Sequence, residues 1–183
     1  MKRTLMLLSL LTGVIPAAAF ADNEPMVGGQ LMYPTRDIVD NAVNSADHTT
    51  LVAAVKAADL VATLKGPGPF TVFAPVNDAF ENLPAGTVET LLRPENKAML
   101  TRVLTYHVVP GRLTAAELRK FIKKGMGTAT LKTVSGGMLW AMLNGETNIV
   151  IQDEAGAVAQ ISTYDVNQSN GVIHVINRVV MPK

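Results

Sequence analysis

The three histidines of this sequence, His48, His107 and His174, are its best groups for holding a metal or moving a proton near neutral pH. They stand far apart, and none belongs to a His-x-x-x-His or Asp-x-Asp-x-Asp run, so no metal site is expected. Met126, Met138 and Met142 offer thioethers, but no His or Cys accompanies them, and they read as core filler. The chain has no cysteine, which excludes disulfides, thiolate metal sites and a cysteine nucleophile. A serine nucleophile would need a Gly-x-Ser-x-Gly elbow, and Ser135-Gly136-Gly137 reads instead as a turn. Asp153 and Glu154 could be offered as an acid pair, yet beside Ala155-Gly156 they read as a solvated hairpin end. No catalytic residue and no cofactor is expected, and the chain does not read as an enzyme.

Tyr106 and His107 fall where a helical pattern gives way to a β-rich one. There the ring bodies can pack while hydroxyl and imidazole find hydrogen bonds, or the pair can face a partner. His174, inside the apolar run Ile173 to Ile176, reads as a hydrogen-bonded core histidine.

The elements that position these groups follow from periodicity and turn chemistry. Ile38, Val39, Ala42 and Val43 recur at helical spacing, and Leu51, Val52, Val55 and Ala58 repeat it after an expected Thr49 cap. Gly66-Pro67-Gly68-Pro69 ends helix and delivers the chain into a buried strand from Phe70 that stops at Pro75. Asn77 or Asp78 can cap a short helix, Thr87 opens another, and Pro94 suits the first turn of a longer one to Tyr106, with Met99, Val103 and Leu104 as its apolar face. Thr114 and Glu117 form a capping box for a helix carrying Leu118, Phe121 and Ile122, closed by Gly125. Strands are then expected over 128–134, 138–143, 148–152, 158–163 and 172–180, with Asn144-Gly145 as a hairpin turn. Helices first and strands last make the class α+β.

Lys2 and Arg3 followed by an apolar stretch from Leu5 to Ile15 read as an export leader, with Ala19-Phe20-Ala21 as its cleavage site and Asp22 as the first mature residue. The expected organisation is a leader over 1–21, a flexible segment over 22–34 and one domain over 35–182. Loss of the leader removes two of the 16 bases and none of the 15 acids, a formal net charge of −1. Basic tracts that would neutralise nucleic acid or anionic lipid are absent, and Lys120, Lys123 and Lys124 read as a solvated helix end. The mature chain is expected to be a soluble periplasmic or extracellular monomer, with no nucleic-acid partner and no stable membrane insertion.

Two segments carry a specific likeness. "TVFAPVNDAF", Thr71 to Phe80, resembles the first signature of the fasciclin (FAS1) family, and "NGVIHVINRVVMP", Asn170 to Pro182, resembles the second. "YHVVPG", Tyr106 to Gly111, also fits, and the likeness runs from Thr35 to Pro182. Within these motifs Thr71, Phe73, Pro75, Asn77, Asp78, Asn170, Gly171 and His174 read as structural: a strand-to-helix corner in the first, a central strand after a glycine-freed turn in the second.

The resemblance implies a FAS1 fold, a β-wedge or sandwich of about seven strands with a layer of short helices. It also implies a secreted or surface-displayed module that mediates adhesion or matrix contact by binding a protein or polysaccharide. In some members a Tyr-His pair and an Asp-Ile pair recognise integrins. They correspond here to Tyr106-His107 and Asp165-Val166, the expected partner contacts. This chain has Val166 in place of Ile, and Val76, Gln168 and Asn177 where Thr, Ala and Asp are common. A second reading is a small-molecule or stress-related binding protein with a pocket between helices and wedge, which a pocket above about 300 Å³ lined with aromatics would favour.

Overall fold

Glycine and proline cut the chain into short elements, and what joins them is a sheet assembled from both ends of the sequence. The computed structural model describes residues 24–183, so the expected leader and its expected junction at Asp22 lie outside the described residues. In chain order the elements are β1 (Met26–Val27), β2 (Gln30–Leu31), α1 (Ile38–Ala42), α2 (Thr49–Ala57), α3 (Val61–Leu64), β3 (Phe70–Pro75), α4 (Asn77–Glu81) and α5 (Thr87–Leu91). They continue with α6 (Lys97–Tyr106), β4 (Val108–Pro110), α7 (Ala115–Lys124), β5 (Thr128–Lys132), β6 (Met138–Asn144), β7 (Asn148–Gln152), β8 (Val158–Gln168) and β9 (Gly171–Ile176).

Seven strands form one sheet in the order β4-β3-β9-β8-β7-β6-β5. The pair β3 and β9 is parallel, Phe70 opposite Gly171 through Pro75 opposite Ile176, and the other neighbours are antiparallel. The two signature segments therefore lie side by side inside the sheet, one strand in from the β4 edge. All six residues of β9 are buried, as a strand covered on both faces requires.

Two cores flank these central strands. On one side Ile38, Leu51, Val55, Leu60, Leu100 and Leu104 of the helices cover Val72, Ala74, Ile173 and Val175. On the other, α7 lays Leu118 and Ile122 against Leu131, Leu139, Ile149, Ile151 and Ile161, with Phe73 and Tyr106 closing the layer. Each such fully buried aliphatic side chain is worth roughly 1.5–3 kcal/mol. The starting point of α7 is set by its capping box, in which Thr114 Oγ1 accepts the Glu117 N–H and the Glu117 carboxylate accepts the Thr114 N–H.

Several elements differ from the sequence reading. The segment 22–34 was expected to be flexible, yet 26–31 forms a hairpin whose Val27, with the following Met32, is buried in the helix-side core. Two short strands in a Gly-rich stretch leave no period to read. Met99 and Phe121 are exposed, and Leu100 takes the core position expected of Met99. β8 runs on to Gln168 through register shifts between Ile161 and Val166, so a bulge hides the alternation of its second half. Asn77 does not cap its own helix: Val76 is the N-cap of α4, with no side-chain bond. Instead the Asn77 carboxamide reaches the start of α2, where Oδ1 accepts the Thr50 N–H at 3.1 Å, and the turn before it, where Nδ2 donates to Ala46 O at 2.8 Å. Gly171 is required by close approach rather than by a turn, since a Cβ there would stand 2.2 Å from Phe70 O.

Candidate functional site

The residues singled out above spread along one seam that crosses the central strands. Tyr106 ends α6 and is fully buried; its hydroxyl donates to Met138 O at 2.6 Å and accepts the Glu154 N–H at 3.1 Å. Burial raises its pKa to about 12, so the phenol keeps its proton. The ring lies against Gly137, where a Cβ would sit 2.7 Å from Tyr106 Cε2. That glycine makes room for the aromatic edge.

His107 is 2% exposed. Its Nδ1 lies 2.8 Å from Val103 O and its Nε2 accepts the Val180 N–H at 3.2 Å, so the neutral tautomer carries its proton on Nδ1. His174 uses the other tautomer: Nε2 donates to Leu113 O at 2.8 Å and Nδ1 accepts the Asp165 N–H at 3.3 Å. Phe73 stacks on the His174 ring at 5.7 Å, and Tyr164 meets it edge-on at 6.2 Å. Burial lowers both pKa values, that of His107 to about 4. In each imidazole both nitrogens are spent on backbone, which leaves neither a lone pair for a metal nor a proton for a substrate.

Asp165 sits in the β8 bulge with φ 54°, a left-handed conformation that Asp tolerates better than most residues. It is half-buried, and its Oδ1 accepts the Ala115 N–H at 2.7 Å, adding a carboxylate to the N-terminus of α7. Val166 is 1% exposed and packs in the helix-side core. The expectation of partner contact through Tyr106, His107 and Val166 is thus corrected by burial: all three side chains face the interior, and only Asp165 reaches solvent. The Tyr106 hydroxyl meets Met138 and Glu154 whereas Asp165 meets Ala115 and His174, so the two share no hydrogen-bonding partner.

The remaining motif residues hold chain ends and corners. Thr71 Oγ1 donates to Gly111 O at 2.7 Å and accepts the Leu113 N–H at 2.8 Å. The Asn170 carboxamide accepts the Ile38 N–H at 3.0 Å and donates to Leu64 O and Gly66 O, which pins α1 and the end of α3 to the β8–β9 turn. Pro75 ends β3, and Asp78 is exposed in the first turn of α4.

Two features went unread in the sequence. Asp153, expected to be solvated, is 2% exposed; its two oxygens accept the N–H groups of Ala157 at 2.8 Å and Met181 at 3.0 Å. Glu154 likewise accepts from Met138 and Lys183, and these bonds hold its pKa below the usual range. The Ala157 bond belongs to a local Asx-type turn signalled by Asp153 and Gly156, but nothing local announces Met181. Arg112 is the second: its guanidinium donates to Gly171 O at 2.6 Å and Gln168 O at 2.9 Å, clamping the β8–β9 turn.

Among the described residues no three His, Asp or Glu side chains converge on a metal position, and no helix is long and apolar enough to cross a membrane. Between α1, α2, α3 and the sheet lies an apolar cavity of about 70 Å³, lined by Ile38, Leu51, Val55, Leu60, Phe70 and Ile173. An apolar cavity about twice that size, about 150 Å³, holds a molecule no larger than benzene. A shallower depression of mixed polarity, about 250 Å³, lies between α2, α4 and α5, with Thr50, Asn77, Phe80 and Glu89 on its walls.

Comparison with known proteins agrees with this geometry. The model of the Fasciclin domain family matches residues 46–182. Protein sll1483 of Synechocystis sp. is 48% identical over 147 residues, which cover 79% of this chain and 73% of that one. Immunogenic protein MPB70 of Mycobacterium bovis is 34% identical over 146 residues, covering 77% of this chain and 66% of that one. Among solved structures, the FAS1 domain pair of the insect cell adhesion molecule Fasciclin I superposes with a TM-score of 0.69 at 19% identity, over 79% of this chain and 50% of that one. At that identity the likeness concerns the fold, and this chain spans half of the pair.

Proposed function

This chain belongs to the Fasciclin domain family, and from that premise we propose that it is an exported interaction module that binds a protein or polysaccharide of a cell surface, envelope or matrix. The observation that carries the reading is that the buried groups able to do acid–base chemistry at the seam, Tyr106, His107, Asp153 and His174, are tied to backbone N–H and C=O groups. Chemistry spent on holding the scaffold leaves recognition to the exterior, as loops and element ends on a rigid frame commonly provide it. Fasciclin I, which shares the fold, is a cell adhesion molecule. The helix-side cavity offers too little room for a metabolite, so a pocket-binding role has less support.

The module acts outside the cytoplasm, in the periplasm or at the cell exterior, as a monomer that binds no nucleic acid. Immobilised chain incubated with an envelope extract, and separately with a glycan array, tests this. Saturable retention of a surface protein or polysaccharide is expected, with a chain unfolded by acid as the blank. Retention of nothing from either source, together with tight binding of a small metabolite in solution, would reverse the reading.

A further inference from the structure

The last turn of α7 gathers charge that the sequence spreads thinly. From Leu118 to Gly145 the chain carries five bases, Arg119, Lys120, Lys123, Lys124 and Lys132, and no acid. Lys120, Lys123 and Lys124 stand at i, i+3 and i+4, on the face opposite the buried Leu118 and Ile122. All three are exposed, and among the described residues none is in an ion pair. Lys123 and Lys124 complement the helix dipole, but Lys120 is a turn away from that end.

Beside these cations the structure displays apolar side chains. Phe121 is 40% exposed on the flank of the same turn, and Met126, just past the helix, is 97% exposed. Met126 occupies the residue where a helix of this type reverses: its N–H donates to Lys123 O at 3.3 Å and the Gly127 N–H donates to Ile122 O at 2.9 Å. That position is left-handed, φ 54°, and glycine is the residue it ordinarily takes. Here glycines flank it at 125 and 127 while the strained position itself carries a long apolar side chain that packs on nothing. Core packing therefore does not explain Met126, and neither does turn chemistry.

We infer that the end of α7, with Lys120, Phe121, Lys123, Lys124 and Met126, is a docking surface for an anionic lipid bilayer. The occupant follows from the two chemistries standing together. Lysines attract the negative surface and rest their ammonium groups among phosphates, and an exposed methionine with a phenylalanine beside it gains only if it leaves water for the acyl boundary. A soluble polyanion accounts for the lysines and leaves Met126 without purpose. The whole chain is close to neutral, so this attraction is local to the patch. Near an anionic leaflet each lysine is worth about fivefold in partitioning, and three are worth about a hundredfold.

Co-sedimentation of the chain with vesicles of phosphatidylcholine, with and without phosphatidylglycerol, tests the inference. Every variant keeps the same N-terminus, so any contribution of the apolar residues there is common to all. The triple variant Lys120→Gln, Lys123→Gln, Lys124→Gln should lose about a hundredfold of its partitioning to the anionic vesicles, and the wild-type signal should fall with salt. Met126→Gly is the decisive variant. It removes the apolar tip and relieves the left-handed strain, so melting temperature should rise while partitioning falls several-fold. Melting temperature up with partitioning unchanged would make Met126 irrelevant and overturn the proposal. So would lysine variants that lose binding to vesicles and to soluble polyphosphate alike while Met126→Gly binds both as before, which would assign the patch to a polyanion. Equal partitioning of wild type and triple variant to the anionic vesicles would overturn it as well.

Discussion

The backbone N–H of Val180 ends on Nε2 of His107, 3.2 Å away and inside the protein, so the last stretch of chain is held by an imidazole lone pair. Protonation of that nitrogen turns an acceptor into a donor facing a donor. His107 has a folded pKa of about 4 against an ordinary value of 6.5. The folded state therefore binds fewer protons than the unfolded chain between those values, and stability must rise with pH across that window. It is fully present above about pH 6.5 and is lost as pH falls toward 4, by about 3 kcal/mol from this group alone. His48 and His174 are shifted downward too, chiefly by burial, and act in the same direction. Urea midpoints measured from pH 7 to 4 should fall steadily, and His107→Gln, which cannot titrate, should flatten the curve while lowering its plateau.

Tyr106→Phe isolates the hydroxyl bonded to Met138 and Glu154. The ring remains, so the loss is one buried donor and one buried acceptor left unpaired, about 1–3 kcal/mol. Gly137→Ala attacks the same contact from the other side by forcing a methyl into the ring edge, and should cost about 1–3 kcal/mol as overpacking. Denaturation curves of both variants and of the double variant check this. Losses that add in full would show that the two positions are energetically separate.

What was legible in the sequence was whatever is decided within one turn or one strand. The Thr114 and Glu117 box is local, three residues apart, and stands where it was expected. The β9 pattern, apolar on both faces, placed a central strand there, and β9 lies between β3 and β8. The β-rich turn of pattern after His107 stands as β4, but its place at a sheet edge was not legible, because it depends on β3 far upstream. Asn77 was misassigned because the cap nearest in sequence competes with one brought near by folding: its partners Ala46 and Thr50 lie 31 and 27 residues away. Tyr106, His107 and Asp165 were legible as a trio worth attention, but not Tyr106 and His107 as interior groups. Their partners Met138 and Val180 arrive more than thirty residues later.

Asn77→Ala should therefore weaken α2 rather than α4. The substitution strips the N–H of Thr50 and the carbonyl of Ala46 of their partner, and the cost expected of a lost helix cap is about 1–2 kcal/mol. Amide exchange read residue by residue should accelerate over 49–53 and stay unchanged over 77–81. Faster exchange confined to α4 would restore the local assignment.

Asp165 is the remaining candidate for partner contact, and its two structural tasks predict how to separate contact from support. The left-handed φ of 54° disfavours a residue with a plain Cβ, and the carboxylate oxygen holds the Ala115 N–H at 2.7 Å. Asn tolerates the same backbone and presents the same oxygen, so Asp165→Asn keeps both the turn and the bond and gives up only the charge at the start of α7, a few tenths to about 1 kcal/mol. Ala keeps neither, so Asp165→Ala should cost about 2–3 kcal/mol from the strain and the lost cap together. If the residue only supports α7, adhesion to the retained surface ligand should follow stability, near normal for Asn and reduced for Ala in proportion to unfolded chain. A carboxylate that meets a partner cation gives the other pattern, in which Asn abolishes retention at unchanged melting temperature, because a charge-assisted hydrogen bond depends on the charge that this variant removes. The geometry favours the first pattern, since the one oxygen placed by the bulge already faces the helix. Melting curves and retention measured on the same two preparations decide between them.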